Sequence, residues 1–177
     1  MTSLSLLQSP SRRKELLLDT AWIFLFSSAL HFLYELTGLR PVSYIAAVNE
    51  STWEHIKIIF FSALFYDLYL YLRKYRGNPN FFTGLALGLF SIILSVPILF
   101  YGYSASLGFS FILLDLMIAF IAALISQYIL MRCMESSRDL SSWRKVSILF
   151  ILAMTAAFLV FTWYPPQLPL FRDPQRR

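Results

Sequence analysis

Two histidines and four acids in this chain have the types and spacing for metal or proton chemistry. Ser27, His31 and Glu35 follow one another at four-residue intervals, so a helix through them carries one polar stripe. The stretch Asn49-Glu50-Ser51-Thr52-Trp53-Glu54-His55-Ile56-Lys57 adds a second imidazole, two carboxylates and an ammonium. Asp115 stands later, inside an apolar run. Zinc takes imidazole nitrogen and carboxylate oxygen at about 2.0–2.2 Å, and a site with three protein ligands keeps one position open for water. His31, His55 and Asp115 are therefore the candidate metal ligands. Glu54 or Glu35 is the candidate general base for a metal-bound water, whose pKa zinc lowers to about 7. Asn49, Glu50, Lys57 and Tyr103 complete a candidate binding set. The same groups suit proton or cation handling, because imidazole titrates near neutrality. Each also has a structural role open to it. Ser51 and Glu54 spell a capping box, Asn49 suits the turn before a helix, and Lys57 can pair with a carboxylate or snorkel to an interface.

The elements that must position these residues are membrane helices. The chain has 177 residues, of which 58% are hydrophobic and only 14% charged, whereas a soluble domain carries about a quarter charged residues. The sequence predicts an all-α polytopic bundle occupying residues 1–177 as a single domain. A span needs ~20 mostly apolar residues, and five stretches meet that length: approximately 16–36, 53–72, 81–103, 108–131 and 146–164. The first follows Arg12, Arg13 and Lys14 in the manner of a signal peptide. Asp19, His31 and Glu35 interrupt it, however, and it runs past signal-peptide length, so it reads as a retained helix. Basic residues cluster before the first span, after the second (Arg73, Lys74, Arg76), and between the fourth and fifth (Arg132, Arg138, Arg144, Lys145). That alternation predicts a cytoplasmic N-terminus and an outside C-terminus; Arg172, Arg176 and Arg177 run against it. On this topology His31 and Asp115 each lie about seven residues, or ~10 Å, below the outer surface. Glu35, Glu50, Glu54, His55 and Tyr103 share that layer. Gly84, Gly88, Ser91 and Ser95 form a small-residue stripe on the third span, and Asp115, Ala119, Ala122 and Ser126 a face of the fourth, as close helix packing in lipid requires. Asp67 lies apart in the inner half, with Gln127 and Tyr128 expected to bond between helices.

Other chemistries are absent from the motifs. There is no Gly-rich phosphate loop, H-E-x-x-H pair or G-x-S-x-G elbow. The lone Cys133 excludes an internal disulfide and any cysteine-cluster metal site. The net charge of +5 is distributed in short clusters between apolar runs, so no basic face offers itself to nucleic acid.

His31-Phe-Leu-Tyr-Glu35 and the N-E-S-x-W-E-H-x-K stretch from Asn49 to Lys57 resemble the signature of a bacterial family of small multi-pass membrane proteins of unknown function. Tyr101-Gly-Tyr103-Ser104, Gly108, Asp115, Gln127, Pro165-Pro166 and Leu170-Phe171 are similar to its later motifs, so the resemblance spans about Ala29 to Phe171. Ala47 and Gly102 stand where proline and threonine are more usual in that family. The resemblance implies the membrane class and supplies no activity. A weaker likeness in chemistry alone is to membrane hydrolases of the ceramidase type, which combine S-x-x-x-H with aspartate around zinc; Ser27-x-x-x-His31 and Asp115 match in part. The sequence thus predicts a multi-pass cell-membrane protein whose partner is the lipid bilayer. A metal-supported hydrolase-like site leads a cation- or proton-coupled carrier, which would be a homo-oligomer, and a structural protein. The substrate is not specified.

Overall fold

The computed structural model describes residues 9–173, so Arg176 and Arg177 of the charge argument lie outside it. Six α-helices follow in chain order: α1 Pro10–Thr37, the short α2 Arg40–Ser43, α3 Thr52–Leu70, α4 Phe81–Leu107, α5 Ile112–Met134 and α6 Arg144–Trp163. A π-helical turn, Tyr71–Tyr75, prolongs α3, and 3-10 turns at Ser141–Trp143 and Pro169–Phe171 flank α6. Five of the helices are long and apolar enough to cross a membrane, as the sequence predicts.

Local chemistry sets their ends. Pro10 opens α1, where its missing N–H has no helical partner to lose. Gly38, at φ +62°, closes α1 by turning left-handed and donating to the Tyr34 carbonyl. Gly108, at φ +77°, ends α4 in the same way against Ser104. Both α1 and α4 outrun the predicted spans: α1 takes in the basic cluster from Arg12 and α4 extends to Leu107. A helix need not stop at the edge of its apolar run: Gly102, at that edge of α4, stays helical, and the left-handed turn comes at Gly108.

Antiparallel neighbours give the bundle two chemically distinct ends. At one, α1 begins, α3 and α5 finish, and α4 and α6 begin. There Glu15 binds Arg12, Lys74 and the Tyr75 hydroxyl, while Arg12 also reaches Glu135 at 3.1 Å. Asn80 ties the start of α4 to the α5–α6 loop, donating to the carbonyls of Cys133 and Arg138 and accepting from the Leu140 N–H. This is the arginine end. At the other, the histidine end, α1 and α4 finish while α3 and α5 begin.

The helices meet closely where the small residues predict. A Cβ on Gly88 would stand 2.9 Å from the Ser126 carbonyl, and one on Gly84 2.8 Å from the Cβ of Cys133. The α4–α5 approach therefore depends on glycine at both positions. Between the ends the core is aromatic and aliphatic, with Phe60, Phe81, Phe158, Ile23, Leu85 and Leu89 fully buried. Many large apolar side chains point outward, including Trp22, Leu25, Ile98, Leu149 and Leu152. That surface suits lipid.

Candidate functional site

Consecutive residues on a helix point about 100° apart, and the first turn of α3 uses this to send Trp53, Glu54 and His55 in three directions. Trp53 enters an aromatic cluster with Phe158 and Phe161 of α6 and Phe171 beyond it. Glu54 turns into the bundle. His55 turns toward α1 and meets His31.

The histidine pair and Glu50 form a compact triad. The two Nε2 atoms are 3.2 Å apart, and Glu50 Oε2 lies 3.4 Å from that of His31 and 3.5 Å from that of His55. Ligand atoms bonded to one tetrahedral zinc stand about 3.3–3.6 Å apart, given bonds of ~2.0–2.2 Å. The triad therefore has the dimensions of one face of such a tetrahedron. The tautomer is also set. His55 Nδ1 is 3.0 Å from the Ser51 carbonyl, which only accepts, so that nitrogen carries hydrogen and Nε2 faces the centre. A backbone carbonyl behind the imidazole is the usual support of a metal-ligating histidine. His31 Nδ1, by contrast, is buried without a hydrogen-bond partner. When Nε2 of His55 is protonated as well, its hydrogen bond holds the Glu50 carboxyl below its ordinary range, against a partial burial that pushes it up.

The triad rests on a sealed charge pair. Lys57 is fully buried and Glu54 is 2% exposed. The ammonium reaches Glu54 Oε2 at 2.6 Å and donates to the Ser43 carbonyl and to Thr162 Oγ1, both at 2.9 Å, so its three hydrogens meet three acceptors. Glu54 Oε2 also accepts the Val48 N–H at 3.0 Å. The loop before α3 is thereby fixed from below, and the Ala47 N–H adds a bond to the Leu30 carbonyl beside His31. Asn49 Oδ1 accepts from the Ser51 N–H, and Ser51 Oγ caps the Glu54 N–H. These bonds place Glu50 over the two imidazoles.

The expected residues divide between the triad and other partners. Asp115, expected as the third ligand, lies on α5 and accepts a short hydrogen bond from Tyr103, whose oxygen also accepts the Phe111 N–H. Glu50, expected only to bind, takes the third place beside the histidines. Glu54, expected as a general base, has its carboxylate held by Lys57 and the Val48 N–H. Lys57, part of the expected binding set and open to pairing with a carboxylate or snorkelling to an interface, is inside the bundle and paired with Glu54. The capping box is half made: Ser51 caps α3, but the Glu54 side chain turns to Lys57 instead of returning to the Ser51 N–H. Glu35 is exposed, one turn beyond His31. No local signal in the sequence marks Ser43 and Thr162, since Thr162 reaches Lys57 from another helix.

In the other half of the bundle, the fully buried Asp67 accepts from Gln127 Nε2 at 3.0 and 3.1 Å. The Tyr66 hydroxyl donates to Asp19 at 2.6 Å. Gln127 thus bonds between helices as expected, and its amide is the partner of Asp67.

A model of a family of unknown function, DUF6512, matches residues 5–176. No curated protein and no solved structure matches the chain.

Proposed function

We propose that this chain, which belongs to that family of unknown function, is a multi-pass cell-membrane protein that binds a divalent metal, zinc above all, through His31, Glu50 and His55. The observation that carries this reading is the spacing of the three donor atoms, 3.2, 3.4 and 3.5 Å, one face of a zinc tetrahedron. Two imidazoles and one carboxylate leave a fourth position open, and the ion would supply there an acidified water for hydrolysis. The residues around it divide the remaining work. Ser51 orients His55 through its carbonyl, and the loop tied by Glu54 and Lys57 orients Glu50. Glu35 is the acid left to take a proton, being exposed one turn beyond His31 while Glu54 is closed onto Lys57.

The alternation of basic clusters supports a cytoplasmic arginine end and an external histidine end, so the substrate would come from outside or from the outer leaflet. The carrier reading draws less support, since it needs a path past Asp67, and that side chain is closed onto Gln127. The structural reading accounts for Glu54 and Lys57 but gives no reason for two imidazoles to converge on one carboxylate.

Protein purified without a polyhistidine tag or chelator is expected to hold one equivalent of zinc or to take up one equivalent of cobalt with the absorption bands of a tetrahedral ion. His31→Ala and His55→Ala should abolish uptake, and binding should release protons. Uptake should weaken as pH falls, because only deprotonated imidazoles ligate. Glu50, held below the ordinary carboxylate value, should stay a carboxylate meanwhile. Absence of stoichiometric metal, with melting unchanged by added zinc, would overturn the reading.

A further inference from the structure

A groove of about 480 Å³ opens between α4 and α6 near the arginine end. Its walls include Ala86, Leu87 and Phe90 of α4, with Val146 and Phe150 of α6 and Trp143 just before it. Phe90 and Phe150 meet edge to face across it, with ring centroids 5.9 Å apart. Thr83 also lines it, but its hydroxyl donates to the Leu140 carbonyl, 3.1 Å away. The walls thus favour an apolar occupant, and in a bilayer the apolar material at hand is lipid chain.

What distinguishes this groove from the rest of the lipid-facing surface is the charge around its start. Arg144 lies over the Phe82 ring at 4.9 Å, which holds the guanidinium beside α4. Lys145 and Arg138 are exposed next to residues of the groove wall. The one acid in this stretch, Asp139, accepts the Ser141 N–H at 2.8 Å and leaves an excess of positive charge. Helices α4 and α6 both begin here, and their N-termini add partial positive charge. An apolar slot beside cations at the depth of the headgroups fits an amphiphile with an apolar tail and an anionic head.

We propose that the α4–α6 groove holds an acyl chain of an anionic phospholipid whose phosphate is met by Arg144 and Lys145. The inference rests on the chain lying in a bilayer and is independent of metal at the histidine end. Guanidinium and phosphate match as a planar donor fork on an oxyanion, which gives Arg144 the larger part in recognition.

Native mass spectrometry of the detergent-purified chain, offered equal amounts of phosphatidylglycerol and phosphatidylcholine with the same acyl chains, tests this. Wild type should retain phosphatidylglycerol in preference by about fivefold or more, the effect of roughly one basic side chain near an anionic headgroup. The Arg144→Ala/Lys145→Ala double variant should lose the preference. Val146→Trp and Leu87→Trp, each filling the groove from one wall, should lower retention of the anionic lipid while circular dichroism shows an unchanged helix content. Equal retention of the two lipids by wild type would overturn the proposal. A preference that survives the double variant and both groove-filling variants would overturn it too, as would a groove-filling variant that converts a dimer to monomer, which would assign the groove to a second copy.

Discussion

At the scale of single residues, Lys57 shows how the interior of an apolar helix bundle accepts charge. A charged side chain at bilayer depth is costly unless it meets partners, and this ammonium meets a carboxylate, a carbonyl and a hydroxyl. Removing one member of such a pair leaves the other buried and uncompensated, at a typical cost of ~3–5 kcal/mol. Lys57→Ala should therefore lower the melting temperature in detergent far more than His31→Ala, since His31 is partly exposed and its Nδ1 has no partner to lose. Comparable melting losses in the two variants would show that the pair does not carry the loop. The sequence made the residue types of this layer legible but not their pairing. Glu50, Glu54 and Asp115 are equivalent carboxylates on paper, and their roles are decided by which of them Lys57 and Tyr103 engage. Those partnerships depend on loop conformation and interhelical distance, neither of which periodicity encodes.

At the scale of elements, spans are the legible part because hydropathy and length dictate them. All five appear near their predicted positions, and the glycine stripe on α4 meets α5 as its spacing implies. Helix ends are less legible: α1 starts earlier than its apolar run, at Pro10, and α4 runs past its apolar run to the turn at Gly108. The stripe makes a sharp prediction. Gly88→Ala puts a Cβ against the Ser126 backbone, and overpacking of this kind costs about 1–3 kcal/mol. Gly102→Ala, in the same helix with open space around it, should be neutral or slightly stabilising through helix propensity. Thermal melting of the two variants side by side separates packing from propensity; equal effects would mean that α4 and α5 do not approach as described.

At the scale of the molecule, the two ends differ in charge and chemistry, and the proposed membrane orientation rests on that difference. In a background with Cys133→Ser, Ser106→Cys at the histidine end should react with an impermeant thiol reagent on intact cells. Ser136→Cys at the arginine end should react only after permeabilisation. The reverse pattern would invert the bundle and move the triad to the cytoplasm.

Thr162 lies near the end of α6, yet it completes the coordination of Lys57, and Phe158 and Phe171 close over Trp53 at the opening of α3. The histidine end is therefore built from both early and late stretches of the chain. During synthesis the first two spans can enter the bilayer and bring His31 beside His55, but Lys57 still lacks an acceptor until the last span has been inserted. The loop that carries Glu50 acquires its full support only then. Maturation of the triad is thus timed by completion of the polypeptide, and a product truncated before α6 would have both histidines without the fixed geometry around them.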